Sequence, residues 1–269
     1  MEEYQKTSRE ARLKTLELIY KAQTSHVGSC FSCVDILTVL FDKVDPTKDE
    51  VVLSAGWKAA SWYYFLWKRG VITKEELNSF CMPESPFIGL VEPIEGRWGL
   101  KIGGGSMGLG LPGAVGLALA KKLKGEEGKV YVLMSDGELQ IGTTWESALI
   151  AAQHKLDNLV VIVDNNGLQA MGKNKDILGD VGFPIGKSWA EKDWHSRGVD
   201  GHNHEKIAEL LDMQNEFAID IKYGGAKPFL LNFNTVKGKG VSFMENNNLY
   251  HYKQLSQGEY ENAKKELNV

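Results

Sequence analysis

Short apolar runs alternate with amphipathic segments along this chain. The apolar runs cover residues 51–54, 129–134, 159–163 and 229–233, and continuous runs of this kind predict strands that helices cover on both faces. Apolar or small residues at helical spacing predict helices over residues 4–22, 32–42, 59–68, 73–80, 112–124 and 144–154. Strands that alternate with helices form parallel sheets. The pattern therefore predicts an α/β fold with a doubly wound, mostly parallel sheet, in a single domain over residues 1–269.

Residues 83–105 interrupt this pattern, because the segment is irregular and rich in proline and glycine. A long irregular loop in a compact domain is often functional. The glycines over residues 103–108 match a loose dinucleotide-binding pattern, GxGxxG. That pattern requires a preceding strand, which this segment lacks, so a dinucleotide site is not predicted.

The composition is that of an ordinary globular protein, with 43% hydrophobic and 25% charged residues among 269. The formal net charge of −4 creates no overall basic field, so nucleic acid is not an expected partner. No stretch reaches the about 18 apolar residues of a membrane span. The first 22 residues lack the apolar core of a signal peptide, so we expect a cytoplasmic protein that is not bound to a membrane.

Cys30 and Cys33 form a CxxC pair, and Cys81 is the third cysteine of the chain. Such a pair indicates a redox or metal site in some proteins. No second CxxC or nearby histidine pair completes a zinc set here. We therefore expect both thiols to pack at the start of a helix.

Polar residues follow two predicted strands at the points where those strands end. Asp136 and Gly137 follow the second apolar run, and Asn166 follows the next run 30 residues later. Ligands of open α/β sheets bind beyond the carboxyl ends of the strands, and Mg²⁺ prefers oxygen ligands. The spacing predicts Mg²⁺, with Ca²⁺ or Mn²⁺ as substitutes, bound by Asp136, Asn166 and the carbonyl of Leu168. The alternative at each position is an ordinary Asx-Gly turn.

The segment SDGELQIGTTWESALIAAQHKLDNLVVIVDNNGL resembles the thiamine diphosphate motif of the transketolase family, in which GDG is followed about 30 residues later by N or NN. Five further segments resemble motifs of that family in the same order: TSHVGSCFSCVDILTVLF (24–41), VVLSAGWKAA (51–60), GGGSMGLGLPGAVGLALAKKL (103–123), VDGHNHEKI (199–207) and TVKGKGVSFMENNNLYHY (235–252). The resemblance covers nearly the whole chain and corresponds to the diphosphate-binding half of a transketolase.

The resemblance implies an enzyme that transfers a two-carbon ketol unit between sugar phosphates with thiamine diphosphate and Mg²⁺. By the same resemblance, the catalytic histidines are His26, in the substrate channel, and His251, near the cofactor. Lys239 would lie near the entrance of the active site. The implied cofactor-binding residues are Gly105, Met107, Gly137, Glu138, Asn166 and His251.

Three positions depart from the family pattern. Trp57 stands where the family has the histidine of GHAA, and Leu90 stands where its long loop has another histidine. Ile141 replaces the glutamate of the family's QEG motif, which lies in an interface region. In the family, the histidines at these two positions contact the cofactor phosphate or the reacting end of the sugar. A deoxygenated or pyruvate-like donor, or a catalytically impaired cofactor-binding subunit, is therefore the alternative function.

Ordinary transketolases are more than twice as long as this chain and contain a second domain that binds the pyrimidine ring of the cofactor. That domain carries the glutamate that helps to activate the cofactor. The resemblance therefore implies a separate partner subunit with the pyrimidine-binding and C-terminal domains. We expect an α2β2 heterotetramer with its active site between the two kinds of chain.

Overall fold

The computed structural model describes residues 1–179, 184–217 and 225–268. The strands within these residues are β1 (Glu50–Leu53), β2 (Val130–Ser135), β3 (Leu159–Asn165), β4 (Leu168–Gln169), β5 (Gly172–Lys173), β6 (His195–Asp200) and β7 (Phe229–Asn234). Five of them form one sheet in the order β1-β2-β3-β7-β6, and every pairing in it is parallel. The short strands β4 and β5 form a separate antiparallel hairpin.

Helices connect and cover these strands. They are α1 (Glu2–Ala22), α2 (Val27–Ser32), α3 (Val34–Lys43), α4 (Ala59–Lys68), α5 (Lys74–Asn78), α6 (Gly110–Lys124), α7 (Gly142–Gln153), α8 (Asn174–Leu178), α9 (Ile185–Ala190), α10 (His204–Phe217) and α11 (Gln257–Leu267). Single 3₁₀ turns occupy Gly56–Lys58, Asp136–Gln140 and Asn248–His251. Within the described residues, no helix combines the length and the apolar character that a membrane crossing requires.

The sheet separates two hydrophobic cores, because successive side chains of a strand point to opposite faces. In β3, Val160 and Ile162 enter the core built with α1, α3 and α4. Val161 and Val163 enter the other core, built with α6, α7 and α9. This arrangement confirms the predicted parallel α/β sheet with helices on both faces.

Most predicted elements agree with the structure to within a few residues. Helix α4 has the predicted bounds. A capping box closes the start of α5, where Glu76 N–H donates to Thr73 Oγ1 over 3.1 Å. The helix predicted for residues 32–42 is α3, and a further short helix that was not predicted, α2, precedes it and meets it at Cys33. Strand β6 was not predicted, because its sequence HSRGVD is polar and it lies at the exposed edge of the sheet.

The carboxyl ends of the strands meet at one edge of the sheet. The parallel register pairs Ser135 with Asp164 and Asn165 with Asn234. The segments that leave β1, β2, β3 and β7 therefore emerge side by side, although long stretches of chain separate them. Ligands of open α/β sheets bind at such an edge.

Candidate active site

A cavity of about 300 Å³ opens at this edge of the sheet. Eight of its lining residues were singled out from the sequence: His26, Trp57, Leu90, Gly105, Met107, Asn166, Leu168 and His251. Segments that lie far apart in the chain thus contribute to one wall. Trp57 and Leu90, which by the resemblance to the family stand at histidine positions, both face this cavity.

His26 and His251 lie against each other in the cavity. Their ring centroids are 5.1 Å apart at an interplanar angle of 75°, and the backbone N–H of His26 donates to the His251 carbonyl over 2.9 Å. His26 adopts a φ of +76°, which is strained for a residue with a side chain. Burial, reinforced by the nearby Lys237 charge, lowers the pKa of His26 to about 4 and that of His251 to about 3. Both rings are therefore neutral near pH 7.

Lys237 is a buried cation beside this pair that the sequence pattern did not reveal. Its Nζ lies 2.8 Å from His251 Nδ1 and donates to Asn248 Oδ1 over 3.1 Å. Burial first, then repulsion from Lys58, lowers its pKa to about 8. A protonated Lys237 donates to Nδ1, so the neutral His251 ring carries its proton on Nε2. Lys239 instead pairs with Glu245 over 3.4 Å and is not among the cavity-lining residues.

Asp136 is a fully buried carboxylate at the end of β2. It accepts the N–H of Gly137 over 2.9 Å and that of Gly167 over 2.6 Å. Burial first, then the neighbouring Asp164 carboxylate, raises its pKa to about 7. No ion pair joins it to a basic side chain in the described parts of the chain. A buried carboxylate with this deficit of positive charge fits a bound cation.

Asn166 and Leu168 flank Gly167 and line the cavity. The Asn166 Oδ1 accepts the Leu168 N–H over 3.0 Å. The three predicted metal ligands therefore lie together. Asn166 and Leu168 belong to the loop around Gly167, and Asp136 accepts the Gly167 N–H from behind that loop. Within the described residues, no group of three or more acidic, histidine or cysteine side chains is arranged to hold a metal ion. The predicted site uses one carboxylate, one amide and one carbonyl, with phosphate oxygens to complete the shell.

Glu138 faces away from the cavity. Its Oε1 accepts Ser54 Oγ–H over 2.5 Å and the Gly108 N–H over 3.1 Å, and its Oε2 accepts the Ser135 N–H over 2.8 Å. The side chain is fully buried, and it is absent from the residues that line the cavity. Protein donors already occupy both carboxylate oxygens of Glu138. The structure therefore does not place Glu138 for the direct cofactor contact that the resemblance implies.

Gly105 and Met107 line the cavity, and Gly137 lies against Met107 without lining the cavity itself. A Cβ on Gly137 would lie 3.3 Å from Met107 Cε, and a Cβ on Gly105 would lie 3.8 Å from Leu90 Cδ1. Ile141 packs against Gly108, where a Cβ would lie 2.6 Å from Ile141 Cγ2. Glycine at these positions lets the backbone segments approach each other and the cavity.

The cysteines are free thiols. Cys30 and Cys33 are buried where α2 meets α3, and Cys33 Sγ lies 3.8 Å from Ser61 Oγ. Burial raises the pKa of Cys33 to about 12, so it is a packed thiol and not a reactive one. This confirms the packing role expected for the pair.

The structure combines a parallel α/β sheet with Asp136, Asn166 and two paired histidines at the carboxyl edge of that sheet. This combination is that of the thiamine-diphosphate-binding class of domains. The family model for "Transketolase, thiamine diphosphate binding domain" matches residues 4–269. The chain therefore belongs to the transketolase family and carries its thiamine diphosphate binding domain.

Individual relatives agree with this assignment. The chain is 36% identical to one of the subunits of an apulose-4-phosphate transketolase from Actinobacillus succinogenes, over 90% of this chain and 87% of that protein. It is 30% identical to a 6-deoxy-6-sulfo-D-fructose transketolase subunit of Clostridium sp., over 95% and 93%. A transketolase structure from Campylobacter jejuni superimposes with a TM-score of 0.88 at 26% identity, covering all of this chain but only 43% of that one.

Proposed function

We propose that this chain is the diphosphate-binding subunit of a split transketolase, which transfers a two-carbon ketol unit between sugar phosphates with thiamine diphosphate and Mg²⁺. The observation that carries the proposal is the single cavity at the carboxyl edge of the sheet, lined by His26, Met107, Asn166, Leu168 and His251. The cytoplasmic location of the protein stays a prediction.

In this proposal Mg²⁺ is held by Asp136, Asn166 and the carbonyl of Leu168. The buried negative charge of Asp136 supports a cation there. Gly105, Met107 and Gly137 let the backbone approach the cofactor. Glu138 acts from behind, because its hydrogen bonds to Ser54 and Gly108 hold the loop that carries Met107. Ca²⁺ or Mn²⁺ would suit the same oxygen ligands.

Thiamine diphosphate, when bound, supplies the carbon chemistry of ketol transfer. The protein supplies proton transfer and positioning. His251 is neutral and oriented by Lys237, so its Nε2 side is free to donate a hydrogen bond into the cavity. His26 is neutral as well and serves as a proton acceptor for a sugar hydroxyl near pH 7.

A separate subunit with the pyrimidine-binding and C-terminal domains completes the site, in an α2β2 assembly. Support comes from the relatives described as transketolase subunits, which this chain spans almost fully, and from the 43% share of a full-length transketolase. The substrates are sugar phosphates.

A non-standard donor is the second candidate, because Trp57 and Leu90 both line the cavity. They replace polar, titratable side chains with an indole and an alkyl group, which solvate sugar hydroxyls poorly. A donor with fewer hydroxyl groups near the reacting carbonyl, including a pyruvate-like one, fits this wall better. Relatives described for apulose 4-phosphate and a sulfonated deoxyfructose support a shifted sugar preference.

The test is ketol transfer by the chain co-purified with its partner subunit, supplied with thiamine diphosphate and Mg²⁺. A panel of ketose phosphates, deoxy analogues and pyruvate separates the two candidates. Absence of transfer from every ketose would exclude the transketolase assignment. Asp136→Ala should weaken binding of the cofactor, measured by calorimetry, by more than about tenfold. Removing a residue that only hydrogen-bonds a metal ligand already costs about tenfold, and Asp136 is proposed to be a ligand itself. Asp212→Ala, exposed on α10, is the matched control and should bind normally.

A further inference from the structure

Lys58 and Asp164 form an ion pair that is completely enclosed by protein. Lys58 Nζ lies 2.5 Å from Asp164 Oδ2, and neither side chain is exposed. Lys58 also donates to the Ser29 carbonyl over 3.0 Å and to Ser32 Oγ over 3.4 Å. Its three N–H groups are thus all engaged, and the residue forms part of the cavity wall.

Asp164 collects donors from four separate segments of the chain. Besides Lys58, it accepts Ser32 Oγ–H over 2.5 Å and the Thr235 hydroxyl. The Asn166 Nδ2 lies 3.5 Å from the same carboxylate and 3.4 Å from Ser32 Oγ. Helix α2, the turn after β1, the end of β3 and the segment after β7 are therefore joined at one point under the cavity.

These contacts fix the orientation of the Asn166 amide. Because its NH₂ group faces Asp164 and Ser32, its Oδ1 is turned toward Leu168, whose N–H it accepts. An amide can bind a metal only through its oxygen, so this orientation decides whether Asn166 can act as a ligand.

Burying two charges is costly unless they are paired and fully hydrogen-bonded. Burial would lower the pKa of Lys58, but the Asp164 carboxylate raises it above its usual value, so the lysine is charged. Without that charge, the buried carboxylates Asp136 and Asp164 would face each other uncompensated. Hydrophobic replacements of buried ion pairs often keep a fold stable, so the effect of this pair on the geometry of Asn166 can be separated from its effect on stability.

We propose that Lys58 is a positioning residue: its ion pair with Asp164 holds Asn166 and the end of helix α2 in the geometry that the metal-diphosphate group requires. The identity of that group rests on the proposed function. Lys58 itself does not touch the ligand, since its donors are already occupied.

The test compares the full chain with Lys58→Met and with the double variant Lys58→Met/Asp164→Asn. Thermal unfolding reports stability. Calorimetric titration of thiamine diphosphate into each variant co-purified with the partner subunit, at a series of Mg²⁺ concentrations, reports the Mg²⁺ level at half-saturation. The exposed pair of Lys43 and Asp212 provides the control variant, Lys43→Met/Asp212→Asn.

Lys58→Met should lower Tm by about 10 °C, because it leaves a buried carboxylate without its partner. The double variant removes both charges and should recover most of that loss. Its Mg²⁺ half-saturation should nevertheless stay raised by about tenfold, as expected when a partner of a metal ligand is lost. The control should match the wild type in both measurements.

A double variant with restored Tm and wild-type Mg²⁺ half-saturation would overturn the positioning role and leave the pair a purely structural one. The double variant also answers the question if Lys58→Met alone fails to fold. Failure of the wild-type chain, co-purified with its partner subunit, to bind thiamine diphosphate at any Mg²⁺ concentration would instead overturn the proposed function, and the inference with it.

Discussion

Asp35 is a buried carboxylate on α3 that ties several distant segments together. Arg12 donates to both of its oxygens, over 3.0 and 2.7 Å. His202 Nδ1 lies 2.7 Å from Asp35 Oδ2, while its Nε2 accepts the Val236 N–H over 2.8 Å. His204 Nε2 lies 3.2 Å from Asp35 Oδ1. Replacing Asp35 with asparagine therefore tests how strongly this cluster holds the segment that leads to Lys237.

The expected loss is large because the change leaves the Arg12 guanidinium buried without a counter-charge. Breaking a buried ion pair by removing one partner costs about 3–5 kcal/mol. Asparagine keeps the shape and one acceptor oxygen, so the lower end of about 3 kcal/mol applies. For a chain of this size that corresponds to a Tm lower by about 10 °C.

Burial would raise the pKa of Asp35, but Arg12 first, then His202 and His204, hold it well below its usual range. A carboxyl group whose pKa is lower in the folded state than in the unfolded state stabilises the protein when the pH is above the unfolded pKa, which is about 3.9 for aspartate. That stability is lost as the pH falls through the folded value. The difference between wild type and Asp35→Asn should thus be constant from pH 7 to 5 and shrink below pH 4.

Thermal and urea unfolding followed by circular dichroism measure both effects. Asp212→Asn is the control, because its carboxylate is exposed and pairs with Lys43 at the surface; it should change stability by less than about 0.5 kcal/mol. If Asp35→Asn unfolds within 2 °C of the wild type (about 0.5–1 kcal/mol), the cluster does not hold the fold as argued.

Two further predictions concern glycine packing and pH. Gly104→Ala should destabilise the fold by about 3 kcal/mol, because its Cβ would lie 2.0 Å from a backbone oxygen of β1. Gly116→Ala, where a Cβ meets nothing within 4 Å, should stabilise α6 by about 0.5–1 kcal/mol; urea unfolding that ranks the two variants equally would contradict the packing argument. His26 and His251 have pKa values of about 4 and 3 in the folded state, below the about 6.5 of an unfolded histidine. The unfolded chain therefore binds more protons, and stability should fall from pH 6.5 toward pH 4, less steeply in His251→Gln; equal slopes for both proteins would refute this assignment.

Local patterns were enough to predict four of the five strands of the central sheet. Strands β2 and β3 are continuous apolar runs that are buried on both faces, and helix α4 begins and ends at the predicted residues. The same logic fails for β6, where the exposed Arg197 and Gly198 leave no hydrophobic signal. The pairing of β6 with β7 holds that strand in the sheet, and such pairing is invisible in a single polar segment.

Some residues of the candidate site were likewise predicted from the sequence, and others were revealed only by the structure. The positions of Asp136 and Asn166 followed from the sequence alone, because parallel strands deliver their carboxyl ends to one edge whatever else the chain does. Trp57 and Leu90 were identified by their departure from family motifs, and both line the cavity.

Only the tertiary structure decided which charges are buried and what they face. Lys58 and Lys237 look like ordinary surface lysines in the sequence, yet both are fully buried, one against Asp164 and the other against His251. Glu138 follows Asp136 closely but turns away from the cavity, because Ser54 and Gly108 offer it hydrogen bonds from behind. The sequence thus predicted which edge of the sheet carries the candidate site, through periodicity and strand order. The environment of each charge depends on contacts between residues far apart in the chain, which only the folded structure brings together.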